Sequence, residues 1–143
     1  MKATFEGVLF YLGLGLLFSH ELDAIVQAEW RLLYVVRSMA DEQAMPIFIA
    51  LHVPLFAFIV WLTHHNSSTV QLRSRIVFNA FLVIHAGLHF RLSNDPLYTF
   101  NSFLSQGLIF GAAICGALAL VSNLFTRSHD ALYNVKAFLS DKS

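Results

Sequence analysis

Long apolar segments alternate with short polar ones along the chain, and this pattern predicts four membrane-spanning helices. Several of these segments approach or exceed the roughly 20 residues that a helix needs to cross a bilayer. The predicted helices cover residues 4–37, 45–63, 72–92 and 97–125. We therefore predict an all-α fold, a polytopic membrane four-helix bundle formed by residues 1–128. Residues 129–143 are predicted to be an interfacial or flexible tail with the apolar spacing of a short amphipathic helix, given by Leu132, Val135, Phe138 and Leu139.

The first two predicted helices each have a feature that bears on the site. No helix breaker occurs between residues 24 and 36, so we expect a first helix over residues 4–37 that extends well past the bilayer edge. Pro54 lies inside the second helix and should kink it, which would free the carbonyl of Ala50. His52 lies just before this kink, and a hydrogen bond to the freed carbonyl is one role open to it.

Composition supports a membrane protein. The chain is 57% apolar and only 13% charged, whereas a soluble domain carries about 25% charged residues. The formal net charge is zero, so no basic surface indicates a nucleic-acid partner. A single cysteine, Cys115, excludes an internal disulfide and a cysteine-rich metal site.

The distribution of positive charge predicts the orientation. One side of the membrane would hold the N-terminus, the loop between helices two and three, and the tail. That side has six Lys and Arg residues, namely Lys2, Arg73, Arg75, Arg127, Lys136 and Lys142. The other side has three, namely Arg31, Arg37 and Arg91. The positive-inside rule then predicts that both termini are cytoplasmic. In either orientation, the topology brings four histidines from three helices into the same leaflet: His20, His52, His85 and His89.

These histidines predict a metal site. His20 and two acids end the first apolar run, where ionisable groups are costly and usually functional. His85 and His89 are four residues apart, so both imidazoles share one helix face, as paired metal ligands do. We predict ligands drawn from His20, Asp23, His52, His85 and His89. Nitrogen and oxygen ligands without sulfur suit zinc, iron or manganese.

The other polar residues of the segment have predicted roles and simpler alternatives. Glu21 or Asp23 would act as a catalytic general base. Supporting positions behind the ligands are predicted for Asn79, Asn101 and Ser105, with an interhelical hydrogen bond as the alternative for Asn79. The acids after His20 could instead be a solvated helix end, and Glu29 and Arg31 are expected on an exposed or ion-paired interfacial face.

The arrangement resembles the small HXXEE-type integral membrane proteins in layout. The matching residues are His20-Glu21-Leu22-Asp23, then Asn79 and His85, then the turn Asp95-Pro96-Leu97-Tyr98. This chain departs from that pattern because Ala24 stands where an acid is expected. The resemblance implies an intramembrane metal-type site and no particular reaction. The His-x-x-x-His pair with Ser19, His20 and Asp23 is also similar to zinc-dependent membrane hydrolases of the ceramidase superfamily, which have seven helices.

Three functions are compatible with these features. The first is a metal-dependent enzyme that acts on a lipid-like or small apolar substrate, with zinc activating water or iron supporting oxidation. The second is a haem-binding electron-transfer subunit, in which His52 and either His85 or His89 would be axial ligands. The third is a non-enzymatic accessory subunit of a larger membrane complex, or a homo-oligomer, that docks through the small-residue stripe Gly107, Gly111 and Cys115.

Overall fold

The computed structural model describes the backbone of residues 5–140 and the side chains of residues 5–126. Four α-helices make up this part of the chain, which has no β-strand: α1 (Phe5–Val26), α2 (Asp41–Thr63), α3 (Ser68–Leu92) and α4 (Phe103–Ser140). The predicted all-helical four-helix architecture is confirmed. Helix α1, helix α2 and residues Phe103–Thr126 of α4 are long and apolar enough to cross a membrane. Helix α3 has similar length but carries three arginines, and its crossing stays a prediction.

Helix α1 is shorter than the predicted first helix. It ends at Val26, and a single 3-10 turn, Glu29–Arg31, follows it. Between them Ala28 adopts a left-handed conformation with φ 54° and ψ 47°, which reverses the chain direction. The expectation of one helix over residues 4–37 was therefore wrong. The reversal lets Trp30, Leu32 and Val36 pack into the core instead of continuing along the helix axis.

Helix α4 begins six residues later than predicted, because residues 97–102 are not helical. The Ser102 hydroxyl accepts a hydrogen bond from the backbone N–H of Ser105 at 2.9 Å, which is the geometry of a helix N-cap. Tyr98 and Phe100 precede this cap and are buried. At its other end α4 is helical to Ser140, so its backbone continues into the segment predicted as a separate tail. The predicted apolar face of that tail lies outside the described side chains.

Small residues allow helices α1, α3 and α4 to pack closely. A Cβ on Gly116 of α4 would lie 2.5 Å from the backbone oxygen of Asn79 on α3. A Cβ on Gly13 of α1 would lie 3.4 Å from the Cβ of Cys115. Part of the predicted docking stripe therefore packs against other helices of the same chain, since Cys115 is buried and Gly111 faces Leu16 of α1. Gly107 faces open space, and docking of a partner there stays a prediction.

Helix α2 is peripheral. Of its 23 residues only Ala44, Phe48 and Thr63 are buried. It packs mainly against α3. The seam between α2 and α3 therefore stays partly open, which matters for access to the site.

Candidate metal centre

Three imidazoles and one carboxylate converge in the core near one end of the bundle. His20 comes from α1, Glu29 from the 3-10 turn, and His85 and His89 from α3. One ligand atom from each of these residues can be chosen so that all four atoms lie within 4.8 Å of one another. We refer to this set as the His₃Glu cluster.

Helix geometry explains how the imidazoles meet. The four-residue spacing stacks His85 and His89 on one face of α3, with ring centroids 4.7 Å apart. His20 inserts from α1, and its ring centroid lies 5.0 Å from that of His85 and 4.9 Å from that of His89. The three rings are therefore in mutual contact.

Most polar atoms of the cluster have no hydrogen-bond partner among the described residues. The unpartnered buried atoms are both ring nitrogens of His20, Nε2 of His85, Nδ1 of His89 and Oε2 of Glu29. Two ring nitrogens lie close to the Glu29 carboxylate: His20 Nε2 is 3.5 Å from Oε2, and His89 Nε2 is 3.7 Å from Oε1. Buried polar atoms are normally paired, and this group of residues could hold a metal ion.

Glu29 is the member of the His₃Glu cluster that the sequence did not reveal. We expected an exposed or ion-paired interfacial face for it, but its side chain is buried and lies beside His20 and His89. The left-handed turn at Ala28 sends the chain back toward His20. The Thr99 hydroxyl donates to the carbonyl of Gln27 at 2.8 Å and so fixes this turn.

A second anchor lies immediately after Glu29. The indole of Trp30 donates a hydrogen bond to Asp41 at 2.8 Å. Arg31 also bonds to Asp41 through its guanidinium. Asp41 is the first residue of α2, so these bonds tie the turn that carries Glu29 to the start of the next helix.

The electrostatic setting of Glu29 favours a cation. Burial, reinforced by the neighbouring carboxylates of Glu21 and Asp23, raises the pKa of Glu29 to about 8. Near neutral pH the Glu29 carboxyl is therefore mostly protonated when no positive charge lies beside it. A bound divalent cation would displace this proton and stabilise the carboxylate.

Two aromatic residues cover the cluster from the segment before α4. The Phe100 ring is fully buried, with its centroid 4.9 Å from that of His89 and 5.5 Å from that of His20. Tyr98 lies beside it, 5.9 Å from His89. The irregular backbone of residues 97–102 thus has a clear role, since it places two rings over the histidines.

His52 and Glu21 form a separate pair next to the cluster. The Nε2 atom of His52 lies 2.8 Å from Oε2 of Glu21, and its Nδ1 donates to the carbonyl of Phe48 at 2.7 Å. The acceptor is therefore Phe48 and not the carbonyl of Ala50 freed by Pro54. Both ring nitrogens of His52 are engaged, so the structure does not bring this histidine into the His₃Glu cluster.

The remaining predicted site residues lie in several environments. Asp23 accepts a hydrogen bond from Gln27 at 3.2 Å and is not one of the four converging residues. Asn79 is buried in α3 with both side-chain polar atoms unpartnered among the described residues. Ser105 is buried and hydrogen-bonded to Ser102, whereas Asn101 is exposed. No described hydrogen bond joins these three residues to the histidines.

A cavity of about 280 Å³ connects the cluster with the seam between α2 and α3. Its polar end consists of Glu29, His85 and His89 together with the Glu21–His52 pair. The rest of the wall is apolar and includes Leu51, Leu55 and Leu88. The shape is that of a binding cavity with ionisable groups at one end and hydrocarbon at the other.

Comparison with known proteins gives a family but no described function. No curated protein and no solved structure matches the chain. One family model, described as "Family of unknown function (DUF6713)", matches residues 6–126 and so includes all four residues of the His₃Glu cluster. The chain therefore belongs to the DUF6713 family.

Proposed function

We propose that this protein is a multi-pass membrane protein that binds one transition-metal ion through His20, Glu29, His85 and His89. The observation that carries the proposal is that one ligand atom from each of the four residues lies within 4.8 Å of the others, in a cluster where most polar atoms have no hydrogen-bond partner among the described residues. Zinc bonded at about 2.1 Å to four tetrahedral ligands has ligand atoms about 3.4 Å apart. The 3.5 Å and 3.7 Å approaches of Glu29 to two histidines are close to that separation.

We further propose that the metal serves a reaction on a lipid-like or small apolar substrate. Zinc would act as a Lewis acid that activates water, and iron would supply redox chemistry. The number of ligands on the metal distinguishes a structural site from a catalytic one. A tetrahedral zinc held by all four residues would be a closed, structural site. A metal that takes five or six ligands would keep a position open to the cavity.

The Glu21–His52 pair is the acid–base group that this proposal assigns to the reaction. Both residues line the cavity, so a substrate there could reach them. The carbonyl of Phe48 holds Nδ1 of His52 and thereby directs Nε2 toward Glu21. Glu21 is the better general-base candidate of the two predicted acids, because Asp23 is not part of the cavity wall.

The cluster geometry favours a bare ion over haem. The three imidazoles contact one another, and the Glu29 carboxylate lies within 3.7 Å of a ring nitrogen of both His20 and His89. Axial haem ligands instead face each other across a porphyrin. His52, which the haem hypothesis needs, is bound to Glu21 and Phe48.

Metal analysis by mass spectrometry, with an absorption spectrum, tests the proposal. The samples are purified wild type, the double variant His85→Ala/His89→Ala, and His65→Ala as a matched control in the loop after α2. We expect about one metal ion per chain in wild type and the control, and loss in the double variant, because two of four ligands are removed. A Soret band would support haem. No metal in wild type would overturn the proposal and favour the accessory-subunit function.

A further inference from the structure

A second cavity lies next to the first along the seam between α2 and α3. It has a volume of about 360 Å³ and shares Leu55 with the cavity at the cluster. Its walls are apolar side chains such as Phe58, Val77 and Phe81, and its far end reaches Arg73 and Ser74. We call the two cavities together the α2–α3 groove.

The two ends of this groove differ in charge. At the cluster end, the acids Glu21 and Glu29 line the wall. At the other end, Arg73 supplies a guanidinium that forms no ion pair among the described residues. The neighbouring Arg75 is not free in this way, since it donates to the carbonyl of Thr63 and lies over the Phe10 ring. An anionic group is therefore favoured at Arg73.

The sides of the groove open toward the surface that a bilayer would cover. Leu51 is 56% exposed, Leu55 45% and Leu88 49%, although all three line the cavity at the cluster. Their helices present these side chains outward because α2 is so little buried. A lipid chain could therefore enter sideways without first leaving the hydrocarbon.

The length of the groove suits a membrane-length chain. Arg73 and His85 are twelve residues apart on α3, or about 18 Å at 1.5 Å per residue. One leaflet of hydrocarbon is about 15 Å deep, half of the roughly 30 Å core. A chain that fills one leaflet, with its head at Arg73, would bring its last carbons close to the level of His85.

We infer that the α2–α3 groove binds a long-chain fatty acid, with the carboxylate at Arg73 and the end of the alkyl chain at the His₃Glu cluster. This inference names the substrate class of the proposed metal site. Binding of the fatty acid does not depend on the metal, whereas a reaction of the bound chain rests on the proposed function. The binding itself follows from the apolar walls, the lone guanidinium and the length. The reacting part of the substrate is then the chain end and not the head.

Photocrosslinking tests this inference. The probe is hexadecanoic acid with a diazirine near the end of its chain, added to the purified full-length protein in lipid nanodiscs, and the crosslinked residues are mapped by mass spectrometry. We expect label on groove residues near the cluster, chiefly Leu51, Leu55 and Leu88. Arg73→Gln should reduce this label about fivefold to tenfold, equivalent to losing one charge-assisted contact.

Matched variants separate binding from general lipid contact. Arg91→Gln removes another exposed arginine from the same helix, and it should leave the label unchanged. Leu55→Trp should block the point where the two cavities meet, whereas Ile84→Trp adds the same ring to an exposed position that lines neither cavity. Equal labelling in Arg73→Gln and Arg91→Gln, or label spread evenly over the outer helix faces, would overturn the inference.

Metal content measured on the same samples keeps the two proposals apart. Neither Arg73 nor Leu55 belongs to the cluster, so all four variants should keep the metal of wild type. Metal without groove labelling would refute the fatty-acid inference and leave the metal proposal standing. Specific labelling without metal would establish the groove and refute the metal proposal.

Discussion

At the scale of single residues, the candidate site depends on the backbone of Ala28. A left-handed conformation costs a non-glycine residue about 1–2 kcal/mol, and strained residues of this kind are concentrated at functional sites. Here the reversal carries Glu29 back to His20, and Thr99 holds it from a neighbouring segment. The strain is therefore linked to the assembly of the His₃Glu cluster.

Ala28→Gly tests this strain. Glycine removes the left-handed penalty but loses about 0.5–1 kcal/mol in chain entropy, so we expect the free energy of unfolding to rise by about 0.5 kcal/mol. The measurement is reversible unfolding of purified protein by sodium dodecyl sulfate in mixed micelles. Ala117→Gly, at an exposed position inside α4, should instead lower stability by about 0.5–1 kcal/mol. Equal destabilisation by both substitutions would contradict a strained Ala28.

At the scale of helices, apolar segments and histidine spacing could be predicted from sequence, but the residues between the helices could not. The His85–His89 pair follows from helix periodicity alone, and the topology correctly brought His20 to the same depth. Glu29 was missed because its position depends on one unusual φ angle at an alanine, a residue with no preference for that conformation. Residues 97–102 were assigned to α4 because burial of Tyr98 and Phe100 over the imidazoles is a tertiary effect.

Two glycine substitutions on α4 test how closely the helices pack. Gly116→Ala would place a methyl group 2.5 Å from the backbone oxygen of Asn79, and the helices must then move apart. We expect a loss of about 1–3 kcal/mol of unfolding free energy, as for other overpacked contacts. Gly107→Ala meets nothing within 4 Å and should gain about 0.5–1 kcal/mol. If the same unfolding assay gave both variants wild-type stability, the close α3–α4 contact would be refuted.

At the scale of the whole molecule, α1, α3 and α4 form a bundle, and the peripheral α2 leaves one side of the site open. The histidine cluster lies near the end of the bundle that holds the loop between α3 and α4. We propose from the positive-inside count that this end faces away from the cytoplasm. The resemblance to HXXEE-type proteins is likewise a proposal. The motif of those proteins expects an acid where this chain has Ala24, and Glu29 would supply that acid here.

Cysteine labelling tests the orientation in cells. In a Cys115→Ala background, we expect Asn94→Cys, in the loop between α3 and α4, to react with a membrane-impermeant maleimide from outside an intact cell. Ser67→Cys, in the loop between α2 and α3, should react only after permeabilisation. The reverse pattern would place both termini outside, and reaction at both positions in intact cells would show that α3 does not cross the membrane.

We propose that Glu29, and not Asp23, completes the metal site. The metal content of the isosteric variants Glu29→Gln and Asp23→Asn tests this assignment, with gel-filtration elution as the check that each variant remains folded. We expect Glu29→Gln to lose most of its metal, because a charged ligand is replaced by a weak neutral one. Asp23→Asn should keep the wild-type metal content. Loss in Asp23→Asn with full retention in Glu29→Gln would contradict the structure of the site.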